Sequence, residues 1–270
     1  MTPKLIAIDV DDTLLNSNIV LLPSTKDIIA KCLQNHLKVV LCSGRPPAGV
    51  KPFLNELGIT ADDQYVITYN GSVIESVTGE VIASHELSNS VYRAMDEFSR
   101  KYHVAYNVLD RDSNIYTSNL EVNRFTVVQA WENKAGLLIK TPDQLPADFT
   151  ITKGIFVGET AELNQVEEAV HAAFDDQCYV VRAADNFLEV MHKNVNKGAA
   201  LKTLSEKLGI HPEEIIAFGD EQNDIPMFDF VGTAVAMENG SDLAKSHADM
   251  ITSSNDADGI KNALEKLIFK

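Results

Sequence analysis

The stretch Leu5-Ile6-Ala7-Ile8-Asp9-Val10-Asp11-Asp12-Thr13 decides the fold. Its first four residues form an unbroken apolar run, the pattern of a parallel strand buried on both faces, and the acids stand where that strand ends. In an open α/β sheet, the carboxyl ends of the strands are where ligands bind. Side chains on extended backbone repeat every two residues, so Asp9 and Asp11 are expected to point the same way. Converging carboxylates repel unless a cation lies between them. Mg²⁺ suits that place, because it takes carboxylate and carbonyl oxygen and keeps waters that a phosphate can replace. Asp and Thr after a strand are also ordinary turn formers and helix caps, so the motif by itself leaves both readings open.

The chain has 270 residues, 45% of them hydrophobic, enough for one large domain or two modest ones. No stretch approaches the ~18 uninterrupted apolar residues of a membrane span, and the start of the chain lacks the basic-then-apolar pattern of a signal peptide. A cytoplasmic location is therefore expected. Cys32, Cys42 and Cys178 are odd in number and without metal-ligand spacing, which reads as reduced, buried thiols. The formal net charge of −16 argues against nucleic acid or an anionic membrane as partner. An acidic protein that takes an anionic substrate must gather positive charge locally, from a metal, a few Lys or Arg, and backbone N–H groups.

Working outward, Ser24 to Leu37 reads as an amphipathic helix, and Lys38-Val39-Val40-Leu41-Cys42 as a second buried strand ending in Ser43-Gly44-Arg45-Pro46. This βαβ unit brings two polar loops to one edge of a parallel sheet. Gly44 allows close backbone approach to a ligand, Ser43 offers a hydroxyl, and Arg45 can fork onto phosphate. A third strand, Tyr65 to Tyr69, ends at Asn70-Gly71, and two short strands flanking Thr78-Gly79 make a hairpin. From about Ser84 to Asn186 the pattern changes to helical runs and more alternating strands near 104–109, 114–118, 154–158 and 178–182. That predicts an α+β module with an antiparallel sheet, spanning 84–186, inserted into a doubly wound α/β domain made of 1–83 and 187–270.

Buried-strand character returns at Phe187-Leu188-Glu189-Val190-Met191, read as the return to the first domain. Beyond it Asn196-Lys197-Gly198 opens a helix. A Lys on a first helical turn opposes the macrodipole and is better explained if an anion sits there. Ile215-Ile216-Ala217-Phe218-Gly219 is another apolar strand, ended by Asp220, with Asp224 in the loop beyond. Thr233 to Met237 and a last helix, Ile260 to Ile268, complete the domain.

Four polar sites thus fall at or beside strand ends, in the order acid pair, hydroxyl, amine, acid pair. These residues resemble the haloacid dehalogenase-like phosphohydrolase superfamily, whose pattern is DxD[GD]T, a Ser/Thr after a strand, a Lys, and GDxxxD. Here the pattern is met by Asp9-Val10-Asp11-Asp12-Thr13, Ser43, Lys197 and Gly219-Asp220-Glu221-Gln222-Asn223-Asp224. Ser43-Gly44-Arg45-Pro46, Tyr69-Asn70-Gly71, Asn196-Lys197-Gly198 and Val235-Ala236-Met237 are similar to the Cof-type branch, bacterial sugar-phosphatase-like members with a large cap. Many of that branch have Gly where this chain has Asp12, and the cap residues vary too much to transfer substrate contacts.

The resemblance implies a Mg²⁺-dependent phosphatase of small phosphorylated metabolites, sugar phosphates foremost. Asp9 is then the nucleophile that forms an aspartyl-phosphate, and Asp11 the general acid and later base. Asp9, the carbonyl of Asp11 and Asp220 would hold Mg²⁺, with Asp224 behind them, while Ser43, Gly44, Arg45, Lys197 and Asn223 would bind phosphate. The inserted module would be a lid that selects the organic half of the substrate. The rival readings are a phosphomutase or phosphotransferase using the same intermediate, a receiver-like signalling module, which is typically half this length, and a sugar-phosphate sensor without turnover.

Overall fold

The computed structural model describes residues 2–269, and among them fourteen strands fall into two sheets. The chain lays down β1 (Leu5–Asp9), β2 (Lys38–Cys42), β3 (Tyr65–Thr68), β4 (Val73–Ser76) and β5 (Val81–Ser84) before the insertion. Within it run β6 (Ala105–Leu109), β7 (Ile115–Thr117), β8 (Leu137–Ile139), β9 (Lys153–Val157), β10 (Cys178–Ala184) and β11 (Phe187–His192). The chain then adds β12 (Ile215–Gly219), β13 (Thr233–Ala236) and β14 (Met250–Ile251). Two compact units result, one built from residues up to Gly44, Val50–Ala83 and Asn196 onward, the other from Arg45–Gly49 and Ser84–Val195.

The first unit holds the sheet β14-β13-β12-β1-β2-β3-β4-β5, parallel from β14 to β3, with β4 antiparallel to β3. Its central strands are buried because alternate residues feed two cores. Ile6, Ile8, Val39, Leu41 and Phe218 join one, with the helices Pro23–Gln34 and Gly259–Leu267. Leu5, Ala7, Val40 and Ala217 join the other, with Ala200, Leu201 and Leu204 of the helix Lys197–Leu208. Helices on both faces are what a doubly wound sheet requires. Register then fixes the site: Ile8 lies beside Phe218 and Asp9 beside Cys42, so β12, β1 and β2 end together.

The second unit has the sheet β10-β11-β9-β6-β7-β8. The helices Asn89–Tyr102 and Thr160–Phe174 cover one face, where Tyr92, Met95, Phe98 and Leu163 pack on Tyr106, Phe156 and Leu188. Two expectations need correction. Phe187–His192 does not return to the first sheet: it pairs antiparallel with both β9 and β10, and the chain re-enters the first unit only at Asn196. An apolar run buried on both sides looks the same whichever sheet receives it. Nor is the second sheet wholly antiparallel, since β7 and β8 run parallel, joined through the helix Arg124–Glu132. That helix carries Thr126, Val127 and Val128, β-branched residues that favour strands, and is started by Asn123, whose side chain accepts from Phe125 N. Among the described residues no helix is long and apolar enough to cross a membrane.

Candidate active site

Strand pairing stops at Asp9, and Val10–Leu14 makes an irregular turn in which Asp11 is extended and Asp12 left-handed, at φ 54°. The period-two alternation expected across Asp9 and Asp11 therefore ends at Asp9. Asp9 is buried, whereas Asp11 and Asp12 are exposed. The left-handed backbone at Asp12 bears on the one difference noted in this motif, Asp in place of the commoner Gly. The position is one that favours Gly, and Asp is among the few side chains that tolerate it. Its carbonyl accepts from Asn239 Nδ2 at 2.8 Å.

Lys197 is wholly buried and donates to two carboxylates, Asp9 Oδ1 and, at 2.6 Å, Asp224 Oδ1. Its place on the helix follows from Asn196, whose side chain caps the first turn by accepting from Ala199 N at 2.7 Å. The anion expected at this turn is thus supplied, in the protein itself, by Asp9 and Asp224. Asp224 Oδ2 accepts the backbone N–H of Asp220 at 2.9 Å and of Glu221 at 3.1 Å, so both its oxygens are committed. A Cβ at Gly219 would stand 2.5 Å from Asp224 Cγ, so only glycine before Asp220 leaves room for that carboxylate. Asp220 Oδ1 accepts from Thr13 Oγ1 at 2.7 Å, which ties the first motif to the last across the sheet. Thr13 closes the first motif in the sequence and takes its role as a support from this bond, whereas no sequence pattern pointed to Asn239.

Oxygens of Asp9, Asp220 and Asp224 lie within 4.8 Å of one another, all three residues buried. Burial pushes the Asp9 carboxyl well above the usual range, with Lys197 opposing and Asp224, Asp220 and Asp11 adding. Asp220 is pushed up to about 7, by burial first and Asp224 second. Burial would lower the Lys197 ammonium, but Asp224 and Asp9 outweigh it and hold the pKa above its ordinary value. Were all three carboxyls ionised, a single ammonium would leave an excess of buried negative charge. An all-oxygen donor set with that excess fits a hard divalent cation. Burial also raises the Cys42 thiol, which keeps it protonated and unreactive at neutral pH.

Ser43 is buried at the end of β2, its N–H donating to Ile67 O and its carbonyl accepting from Asn70 N, each at 2.9 Å. Gly44 lies against the Asn70 side chain, and Asn223 Nδ2 donates to Asn70 Oδ1 at 3.3 Å. Thus Asp9, Ser43, Gly44, Lys197, Asp220, Asn223 and Asp224 all belong to the first unit, on the loops and turns that end β1, β2 and β12 or open the helix Lys197–Leu208. Arg45 does not: it sorts with the second unit, along with Ala48, whose N–H donates to Ser113 Oγ at 3.2 Å.

A sequence model of the haloacid dehalogenase-like hydrolases matches residues 6–264. YxeH of Bacillus subtilis, whose name assigns it phosphatase activity provisionally, is 32% identical over 98% of both chains. A second Bacillus subtilis protein, the 5-amino-6-(5-phospho-D-ribitylamino)uracil phosphatase YwtE, is 26% identical over 98% of both. Among solved structures, a haloacid dehalogenase-like hydrolase from Bacteroides thetaiotaomicron superposes with a TM-score of 0.91 at 30% identity, covering 99% of this chain and 100% of that one.

Proposed function

The chain belongs to the haloacid dehalogenase-like hydrolases, and from that premise we propose that it is a Mg²⁺-dependent phosphatase of small phosphorylated metabolites, working through an aspartyl-phosphate on Asp9. The observation that carries this reading is the buried cluster at the strand ends, in which Lys197 bridges Asp9 and Asp224 beside Asp220. Such a site offers an oriented carboxylate nucleophile together with the positive charge a phosphate needs.

Asp9 Oδ attacks phosphorus, and the bond from phosphorus to the leaving oxygen breaks. Asp11, exposed beyond the end of β1, gives its proton to that alkoxide. The Asp11 carboxylate then takes a proton from water as the water attacks the phosphoryl group, which frees Asp9 and inorganic phosphate. Lys197, the Ser43 hydroxyl, Asn223 and the N–H of Gly44 meet the charge on the phosphoryl oxygens. Asp9 and Asp220 are the side chains that would hold Mg²⁺ directly, with the Asp11 carbonyl. Asp224, whose oxygens are engaged elsewhere, would orient Lys197 and the Asp220 backbone. The cation supplies Lewis-acid stabilisation of phosphoryl charge when bound.

The inserted unit, 84–195, would supply selectivity for the organic half, while Arg45, which clusters with that unit, keeps its proposed role as a phosphate ligand. A phosphorylated sugar or sugar alcohol is the substrate class we favour, in line with the compound in YwtE's name. The test is phosphate release from a panel of phosphorylated metabolites and a generic aryl phosphate, with Mg²⁺ or with a chelator and without any acceptor sugar. Mg²⁺-dependent release is expected. Its absence across the panel would refute hydrolysis, and release only when an acceptor sugar is supplied would favour a phosphotransferase.

A further inference from the structure

The segment Tyr69-Asn70-Gly71 follows β3 and carries no part of the chemistry above, yet its backbone is the most unusual in the first unit. Three successive residues have positive φ, 52°, 55° and 106°. Strained backbone of this kind persists where surrounding contacts over-determine it, and it clusters at functional sites. Each of three loops that carry proposed phosphate ligands meets this turn. Asn70 N donates to Ser43 O at 2.9 Å, while the Asn70 amide lies over Gly44, 3.1 Å from where a Cβ would stand. Asn70 Oδ1 accepts from Asn223 Nδ2 at 3.3 Å. Gly71 packs against the residue before Lys197, so closely that a Cβ would lie 2.6 Å from the Asn196 carbonyl.

We infer that Asn70 is a positioning residue: its backbone N–H and side-chain oxygen hold the Ser43-Gly44 turn and Asn223 in one fixed arrangement beside Lys197, forming the anion cradle. The inference rests on the phosphatase reading for its place in the reaction. Asn70 is buried and acts through its neighbours, since Asn223 is the exposed partner that would reach the anion.

Asn70→Gly separates the two roles, because glycine takes a left-handed backbone without strain, keeps the N–H to Ser43 and removes the amide. Two quantities are measured, the affinity of the Mg²⁺-loaded protein for inorganic phosphate by calorimetry, and kcat and KM on an aryl phosphate. Asn70→Gly is expected to melt like the wild type, to weaken phosphate binding about 3–10-fold, as loss of one net hydrogen bond would, and to raise KM more than it lowers kcat. Asn223→Ala should do the same, and the double variant should be no worse than the weaker single one. Unchanged phosphate affinity in Asn70→Gly, or additive losses in the double variant, would overturn the inference. Should Asn70→Gly prove unstable, Asn223→Ala alone decides it, since unchanged phosphate affinity there removes the partner Asn70 is said to position. A wild-type protein that binds phosphate with an affinity Asn70→Gly lowers, but releases none from substrate, would leave the inference standing and refute the phosphatase reading. A wild type that does neither refutes both.

Discussion

Lys197 Nζ and Asp224 Oδ1 stand 2.6 Å apart with both side chains fully buried, one at the first turn of a helix and the other beyond the end of β12. Asp224 therefore works as a strut: one oxygen fixes the ammonium and the other holds two backbone N–H groups of the Asp220 loop. Asp224→Asn keeps an acceptor for those N–H groups but turns an amide donor toward a buried cation. Lys197 retains Asp9 as a partner, so the expected loss is about 1.5–3 kcal/mol, that of one charged hydrogen bond, read by chemical denaturation, together with a drop in turnover. Stability equal to the wild type would show that the strut is idle.

Asp220 gives the site a pH dependence. Burial, with Asp224 next, raises its folded pKa from 3.8 to about 7. A carboxyl raised on folding contributes stability that is full below its unfolded pKa and is lost as pH rises through the folded value. Without divalent cation, this group's contribution therefore declines between about pH 4 and 7. Mg²⁺ needs the ionised form, so the rise in melting temperature on adding Mg²⁺ should be larger at pH 8 than at pH 5.5. An equal rise at both would contradict the coupling.

At Asp12 the backbone sets the requirement, with φ 54° and the carbonyl held by Asn239. Asp12→Gly should leave melting within about 1 kcal/mol of the wild type, while Asp12→Ala, which lacks both glycine's freedom and the local hydrogen bonding of Asp, should cost about 1–2 kcal/mol. Equal effects of the two would place the role of Asp12 in its charge.

In the second unit, Lys153 and Glu189 form an ion pair of 2.5 Å with side chains only 4% and 8% exposed. Removing one partner leaves a buried charge, so Glu189→Ala should cost about 3–5 kcal/mol by denaturant unfolding. Replacing both residues by apolar ones, Lys153→Met with Glu189→Leu, should recover most of that loss. A single variant as stable as the wild type would show that solvent reaches the pair.

The features legible in the sequence are those that local pattern controls. β1, β2 and β12 announce themselves as apolar runs, and because all three end in polar loops, the gathering of Asp9, Ser43 and Asp220 follows from parallel pairing alone. What stayed hidden depends on contacts distant in sequence. Phe187–His192 has the composition of a first-sheet strand, and only its pairing with β9 and β10 places it elsewhere. The helix Arg124–Glu132 is built from strand-favouring residues and is held by its Asn123 cap and by Thr126 and Gln129, which accept from buried Asn107. Arg45 sits two residues from Ser43 yet sorts with the other unit, a division that sequence proximity conceals.

The central claim is that Asp9 is the group that takes the phosphoryl. Its most direct test is Mg²⁺-dependent phosphate release by Asp9→Asn beside the wild type, on the best substrate of the panel, with melting curves to show that both are folded. Asparagine keeps the shape and an oxygen facing Lys197 but is a poor nucleophile, so release is expected to fall by at least about 10⁴-fold with the fold intact. Release by a folded Asp9→Asn at a rate near that of the wild type would contradict the account.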